Sequence, residues 1–326
     1  MTTDNLFFFL DQVGDRVVAF LPSPVSVENA PTPGGLSTLC SVFEFHAVRL
    51  STEVVCSASS SDALPPPPLS SLSPSIVAIL PHLIQAIAAL HYHAHLAAGE
   101  SILLLNAGTH FGLILAQLAT AWGLKVMAVT DDHDAKYRLE HLKVEGVGKS
   151  ADSQYPALRV IDPSHARVGS EGAYVLKNVL DETNGIGVDC ILDIPPSKRP
   201  FIRSEDEKVD EAIVSYVTQR DMISCLAAGG RWITGRASLQ LDPPESEVLF
   251  FKGASLSFLF NHWLLCPSQL GRFHHVVKKA LEMIESGDIT LDVEVIDESW
   301  ELVLQKLNDG NGRGDLRPVV FKLPPF

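Results

Sequence analysis

The sequence predicts an α/β fold built on a doubly wound parallel sheet, and three features of one stretch, Gly99 to Asp132 (GESILLLNAGTHFGLILAQLATAWGLKVMAVTDD), predict it. First, Ile102 to Leu105 and Val126 to Val129 are unbroken apolar runs, which suit parallel strands buried on both faces. Second, Phe111 to Trp122 is apolar or small at nearly every position, with Gln117 and Thr120 as the polar interruptions, so this helix packs on more than one side. Third, a turn of small residues, Asn106, Ala107, Gly108 and Thr109, joins the first run to the helix, and Gly123 stops it.

Strand, tight turn, helix and strand in this order form a mononucleotide-binding half. The helix N-terminus offers unpaired N–H groups and a positive dipole end to a diphosphate, and polar groups after the second strand meet the ribose. Asn106, Gly108, Thr109, His110, Phe111 and Gly112 are therefore the candidate phosphate-binding residues, and Thr130, Asp131 and Lys136 the candidates at the ribose end. A carboxylate at that strand end accepts the 2′-OH of NAD and repels the 2′-phosphate of NADP. Lys136 and Arg138, on the helix expected over His133 to Leu142, are placed for that phosphate instead. Asp131 and Asp132 also read as N-caps of the same helix, so the choice between NAD and NADP stays open here.

Composition sets the outer bounds. With 326 residues the chain is long enough for two domains with substantial cores. A formal net charge of -14 excludes nucleic acid and an anionic membrane surface as expected partners, since both need a cationic footprint. Cys40, Cys56, Cys190, Cys225 and Cys266 are odd in number, widely spaced and without a CxxC pair, which indicates neither a disulfide framework nor a zinc ribbon and points to a reducing, cytoplasmic setting. The apolar patch Leu6 to Leu10 is too short for a signal-peptide core or a membrane span.

Further motifs extend along the chain. VGDRVVAFLP (Val13 to Pro22) and GGLSTLCSVFEF (Gly34 to Phe45) read as strands, and Ala58 to Pro74 as a Pro/Ser-rich surface loop or a ligand for a proline-binding module. A helix over Ser75 to Leu96 carries AILPHLIQAIAALHY and ends in HYHAH, where His91 and His95 at i,i+4 read either as two metal ligands or as a solvated helix end. Strands follow at Leu158 to Asp162 and Val188 to Leu192, a helix at Val209 to Leu226, and strands at Gly229 to Gly235 and Leu256 to Leu259. Pro195 and Pro196 stiffen one turn, and Lys198 to Lys208 is a charged surface loop. His274 to Gly287 is an amphipathic core helix with His274 and His275 at its start.

These motifs, with GIGVDCILD, GGRWITG, LQLDPP and the closing NGRGDLRPVVFKL, resemble the zinc-free quinone oxidoreductase (zeta-crystallin) branch of the medium-chain dehydrogenase/reductase superfamily over about residues 13 to 326. The resemblance implies a Rossmann-type sheet plus an incomplete GroES-like β-barrel domain, because VGDRV lies much deeper in the family's chain. It implies domains at 1–82 (first part of the barrel domain), 83–262 (cofactor domain) and 263–326 (return to the barrel). It adds Gly235 and Arg313 to the cofactor contacts and implies NADP or NAD as the cofactor, with hydride transfer from its reduced form, NADPH or NADH, to a quinone or enone without a metal and with no particular acid or base required. It also implies a homodimer paired through Leu256 to Leu259.

The chain departs from the family at the glycine turn. The family has Gly where this chain has Asn106, Thr109 and His110, Gly112 keeps its register, and Gly108 is a glycine out of register. Two readings follow: a turn whose N–H groups still cradle a phosphate, or a turn that keeps the fold and has lost the ligand, so that no cofactor is bound. With the Pro195-Pro196 turn and the shortened barrel, the second reading describes a catalytically degenerate binding or structural subunit. Its open barrel edge, or Phe7 to Phe9, would dock on a partner.

Overall fold

The computed structural model describes residues 17–19, 47–49, 74–142, 158–194, 217–237, 239–260, 264, 269–291, 294–296 and 319–321. Its centre is a six-stranded parallel sheet. The strands are β3 (Ser101–Leu105), β4 (Lys125–Val129), β5 (Leu158–Ile161), β6 (Val188–Asp193), β7 (Leu226–Thr234) and β8 (Ser255–Phe258), in the spatial order β5-β4-β3-β6-β7-β8. Every neighbouring pair is parallel. This is the doubly wound Rossmann order, in which the chain starts at the middle of the sheet, winds to one edge and then returns to build the other half. The two smaller pairs among the described residues are β1 (Val17–Ala19) with β2 (Ala47–Arg49), antiparallel, and β9 (Glu294–Ile296) with β10 (Val319–Phe321), parallel. β1 falls inside the VGDRVVAFLP motif.

Burial follows from the apolar runs. All five residues of β3 are buried, and its side chains alternate between two cores. Ile102 and Leu104 face helices α1 (Pro74–Ile87), α2 (His110–Ala121) and α7 (Leu270–Glu285), while Leu103 and Leu105 face α4 (Glu171–Glu182) and α5 (Gln219–Cys225) on the other side. A strand covered on both faces has no solvent side to carry polar residues, which is why the run is unbroken. The stretch Ile76–His93 is long and apolar enough by composition to cross a membrane, yet 56% of it is buried inside the fold, where it is a core helix against α2 and α7.

Several predicted boundaries move. The helix expected through Leu226 is Gln219–Cys225 among the described residues, opened by a Thr218–Asp221 capping box, and Leu226 already belongs to β7, where it pairs with Val188. α7 begins at Leu270, so His274 and His275 lie a turn inside it and not at its start. The HYHAH segment does not present His91 and His95 on one α-helical face. The chain widens to a π-helix over Ala88–His93, and His95 lies beyond it at φ +49°. Gly34 to Phe45, residues 58–73, Phe7 to Phe9, Pro195, Pro196, residues 198–208 and Arg313 lie outside the described residues.

One polar interruption of α2 has a structural role. Gln117, only 4% exposed, donates from Nε2 to the Thr290 carbonyl at 2.8 Å and accepts from the Thr290 N–H at 3.0 Å, so a side-chain amide pairs with a backbone as a strand neighbour would. This joins the sheet's central helix to the segment after α7. Gln117→Leu keeps the bulk and leaves both Thr290 groups without their partner. Urea unfolding is expected to show a loss of about 1–2 kcal/mol with an unchanged m-value; an unchanged midpoint would mean the tie contributes nothing.

Candidate dinucleotide site

The turn after β3 is shaped by two close approaches. A Cβ on Gly112 would lie 2.5 Å from the Ala107 carbonyl oxygen, and one on Gly108 would lie 2.7 Å from Thr130 Oγ1 and 2.9 Å from Ala135 Cβ. Both positions therefore require glycine, the first to seat α2 on the strand end, the second to pack the turn against β4 and α3 (His133–Glu140). Asn106 sits at φ +55°, a conformation that Asn tolerates better than other side chains. Its Nδ2 donates to the Ile194 carbonyl at 2.6 Å, joining the turn after β3 to the turn after β6.

Thr109 caps α2. Its Oγ1 accepts from the Gly112 N–H at 3.0 Å, and its carbonyl accepts from the Leu113 N–H at 2.9 Å. Helix geometry leaves the N–H groups of His110 and Phe111, the first two helical residues, pointing out of the helix end. That end opens on a cavity of about 250 Å³ lined by His82, Gln85, Thr109, His110, Phe111, Asp193, Ile194, Gly235 and their neighbours. It lies where β3 and β6 send the chain in opposite directions, the place at which a doubly wound sheet binds its ligand. Of the predicted residues, Thr109, His110, Phe111 and Gly235 thus meet in one cavity, with Asn106 tying its floor and Gly108 and Gly112 setting its shape.

The residues expected at a ribose, Thr130, Asp131 and Lys136, lie after β4 and in the first turns of α3. Thr130 is buried, and its Oγ1 accepts from the Asp132 N–H at 3.2 Å. Asp131 is exposed at the strand end. Asp132 caps α3 by accepting from the Asp134 and Ala135 N–H groups at 2.8 and 3.1 Å. The N-cap reading thus belongs to Asp132 and leaves Asp131 to the strand end. Lys136 is held by Asp162, Nζ to Oδ2 at 3.1 Å.

The chain spans about half the length of the curated relative it matches. Quinone oxidoreductase-like protein 1 of Mus musculus is 32% identical over 207 residues, which is 63% of this chain and 53% of the mouse protein. Among solved structures, a quinone oxidoreductase of Pseudomonas syringae pv. Tomato DC3000 superposes with a TM-score of 0.55 at 17% identity, covering 85% of this chain and 68% of that one. The CurK enoyl reductase does so at 0.52 and 16%, covering 86% and 66%. A mycobacterial quinone oxidoreductase does so at 0.54 and 18%, covering 77% and 64%. Over those 207 residues the chain is similar to quinone oxidoreductase-like protein 1. The structural likenesses show its fold, and no family model matches it.

Several residues at this cavity were not singled out from the sequence. Asp193, fully buried at the end of β6, carries the same signal as Asp131, a carboxylate closing a strand. It accepts from Thr234 Oγ1 at 3.1 Å and from Arg236 Nη2 at 3.1 Å, while Arg236 Nε lies 2.7 Å away as an ionic contact out of line for a hydrogen bond. His82 gave no signal, because it arrives from α1, about thirty residues before the turn it faces. Its ring centre is 6.1 Å from that of His110 and 6.4 Å from that of Phe111.

Burial holds the His82 imidazole neutral, pushing its pKa down from the ordinary 6.5 to about 4, and the nearby His110 charge acts the same way. A histidine depressed in the folded state binds its proton more readily when unfolded. Stability is therefore complete above pH 6.5 and declines as pH falls toward 4. The wild type is expected to lose roughly 2–3 kcal/mol more across that window than His82→Gln, which has no imidazole to protonate. Thermal melts of both proteins at several pH values measure it, and parallel profiles would contradict it.

Proposed function

We propose that the chain binds a nicotinamide dinucleotide across the switch point of its sheet and transfers hydride from it to a quinone or enone. The observation that carries this reading is the open N-terminus of α2 facing the cavity between β3, β6 and β7, in a chain similar to quinone oxidoreductase-like protein 1. The donor set suits a diphosphate: two outward N–H groups, the positive dipole end and no carboxylate among Asn106 to Gly112. When bound, the reduced nicotinamide supplies two electrons and a proton as hydride, and solvent supplies the second proton of a hydroquinone.

The chain's own residues do the rest. His110 and Phe111 N–H groups orient the diphosphate. Ile194 and Gly235 wall the cavity beyond it, and Phe111 and Leu259 give it an apolar side that suits a flat acceptor ring. Asp193 is neutralised by Arg236 and so does not present a bare charge to a hydride path. The buried free thiols Cys190 and Cys225, each pushed up to about 12 by burial, are inert and suit a reducing compartment such as the cytoplasm.

Titration of NADH and NADPH to millimolar concentration is expected to raise the melting temperature with at least one of them, by an amount equivalent to about 2.7 kcal/mol at a hundredfold excess over Kd. The same nucleotide should then be oxidised in the presence of a small quinone. A melting temperature that neither nucleotide moves would overturn the reading.

A second copy of the chain completes the picture. Among the described strands β8 has β7 on one side and none on the other, and Phe250, Phe251, Phe258 and Phe260 around it are 50–78% exposed, a cluster that pairing would cover. Sedimentation of the wild type should give a dimer, and Phe258→Asp a monomer; a monomeric wild type at micromolar concentration would count against the pairing.

A further inference from the structure

We infer that the adenosine end of this site selects NADH over NADPH, and that Asp162 sets the preference by holding Lys136. The inference rests on the dinucleotide reading above and names which of the two nucleotides it concerns.

The two cofactors differ by one phosphate on the ribose that lies beyond β4. Three carboxylates stand within five residues of that strand end, Asp131, Asp132 and Asp134. Asp131 is exposed there, where a ribose hydroxyl can donate to it and a phosphate is repelled. Asp132 has spent its Oδ1 on the cap of α3 but keeps its charge. A 2′-phosphate needs a cation to offset these three, and α3 carries Lys136 and Arg138.

Lys136 is already engaged. Its Nζ lies 3.1 Å from Asp162 Oδ2, and Asp162 is not a loose surface partner. That side chain is 14% exposed, and its other oxygen accepts from the Ser164 N–H at 2.9 Å and the Ser164 hydroxyl at 2.5 Å. His165 Nε2 approaches Oδ2 from a further side at 3.5 Å. Burial alone would lift this carboxyl, but the Ser164 bonds and Lys136 outweigh it and hold it below the usual carboxylate range, so it stays charged at neutral pH. β4 and β5 are adjacent strands, so the Asp162 turn and the first turn of α3 are held side by side. The Lys136 charge is offset by a fixed, mostly buried carboxylate, so the pair offers a phosphate little net positive charge. Arg138 is no substitute at the same place, since two residues along a helix turn the side chain about 200° away. The pair borders a cavity of about 550 Å³ that runs along β5, with Leu139, Leu158, Ile161 and Tyr174 among its walls.

The test is a pair of calorimetric titrations, NADH and NADPH, on the full chain and on variants whose fold is checked by circular dichroism. The wild type is expected to bind NADH at least tenfold more tightly. Asp162→Asn keeps the shape and the acceptor for Ser164 but removes the charge. It should tighten NADPH about tenfold while moving NADH less than threefold, and adding Lys136→Met to it should cancel the gain. Lys136→Met alone should leave the ratio of the two affinities where it was. A wild type that binds NADPH as tightly as NADH overturns the inference and leaves the dinucleotide reading standing. So does a Lys136→Met variant that loses NADPH alone, or an Asp162→Asn variant with an unchanged ratio. Binding of neither nucleotide overturns both.

Discussion

Ala107 and Gly112 meet closely enough that no side chain fits between them, and the placement of the site depends on that contact. With a Cβ excluded at Gly112 and another at Gly108, the turn lies flat against the ends of β3 and β4, and α2 leaves it aimed at the gap beside β6. The direction of one helix thereby decides where its N–H groups point. A helix displaced by the width of a methyl group would still cover the apolar face of the sheet, but its first turn would no longer open on the cavity that Asp193, Ile194 and Gly235 close from the other side.

Charges tie the sheet at both ends, and the two ends differ in kind. At the N-terminal edge Arg231 donates to the Ala94 and His95 carbonyls and pairs with Glu100, while Asp189 accepts from the Ser101 N–H and hydroxyl at 2.8 and 2.7 Å. Every partner there is a backbone group or a neighbouring side chain, so the cluster locks the crossing from α1 into β3. Lys252 does similar work beside it, donating to the Ile223 and Ser224 carbonyls at the end of α5. At the C-terminal edge the Asp193–Arg236 pair lines a cavity, and the Asp162–Lys136 pair lines another. The same chemistry that is structural below is, above, within reach of a ligand.

The sheet was legible in the sequence because burial on both faces writes continuous apolar runs at β3 and β4, and because short strands recur after them. Boundaries were less so. Leu226 reads as a helical residue until its pairing with Val188 is known, and nothing local says that α7 starts four residues before His274. Of the candidate site, the turn residues that meet in the cavity were legible because they follow β3 directly. His82 was not, since a residue brought in by another helix leaves no local pattern, and Asp162 and Asp193 each close a strand, a signal that does not say what the carboxylate faces. The double role of Asp131 and Asp132 was split only by geometry: one caps and the other is exposed.

The glycine pattern is the instructive departure. Judged by letters, replacing three glycines by Asn106, Thr109 and His110 removes the fingerprint. In physical terms each replacement meets a different demand. Position 106 needs a positive φ, which Asn supplies while adding a hydrogen bond across to Ile194. Position 109 is an N-cap in extended conformation, where Thr is a preferred residue and its Cβ meets no obstacle. Position 110 is the first residue of the helix, where a side chain is free to stand out from the axis, and here an imidazole stands at the cavity wall. The two places where a Cβ truly cannot fit, 108 and 112, are both glycine. What the exchange removes is the smooth floor that bare backbone gives a diphosphate at 109 and 110, and what it adds is polar groups at the same place. The turn therefore keeps its shape and changes the surface it shows to the cavity.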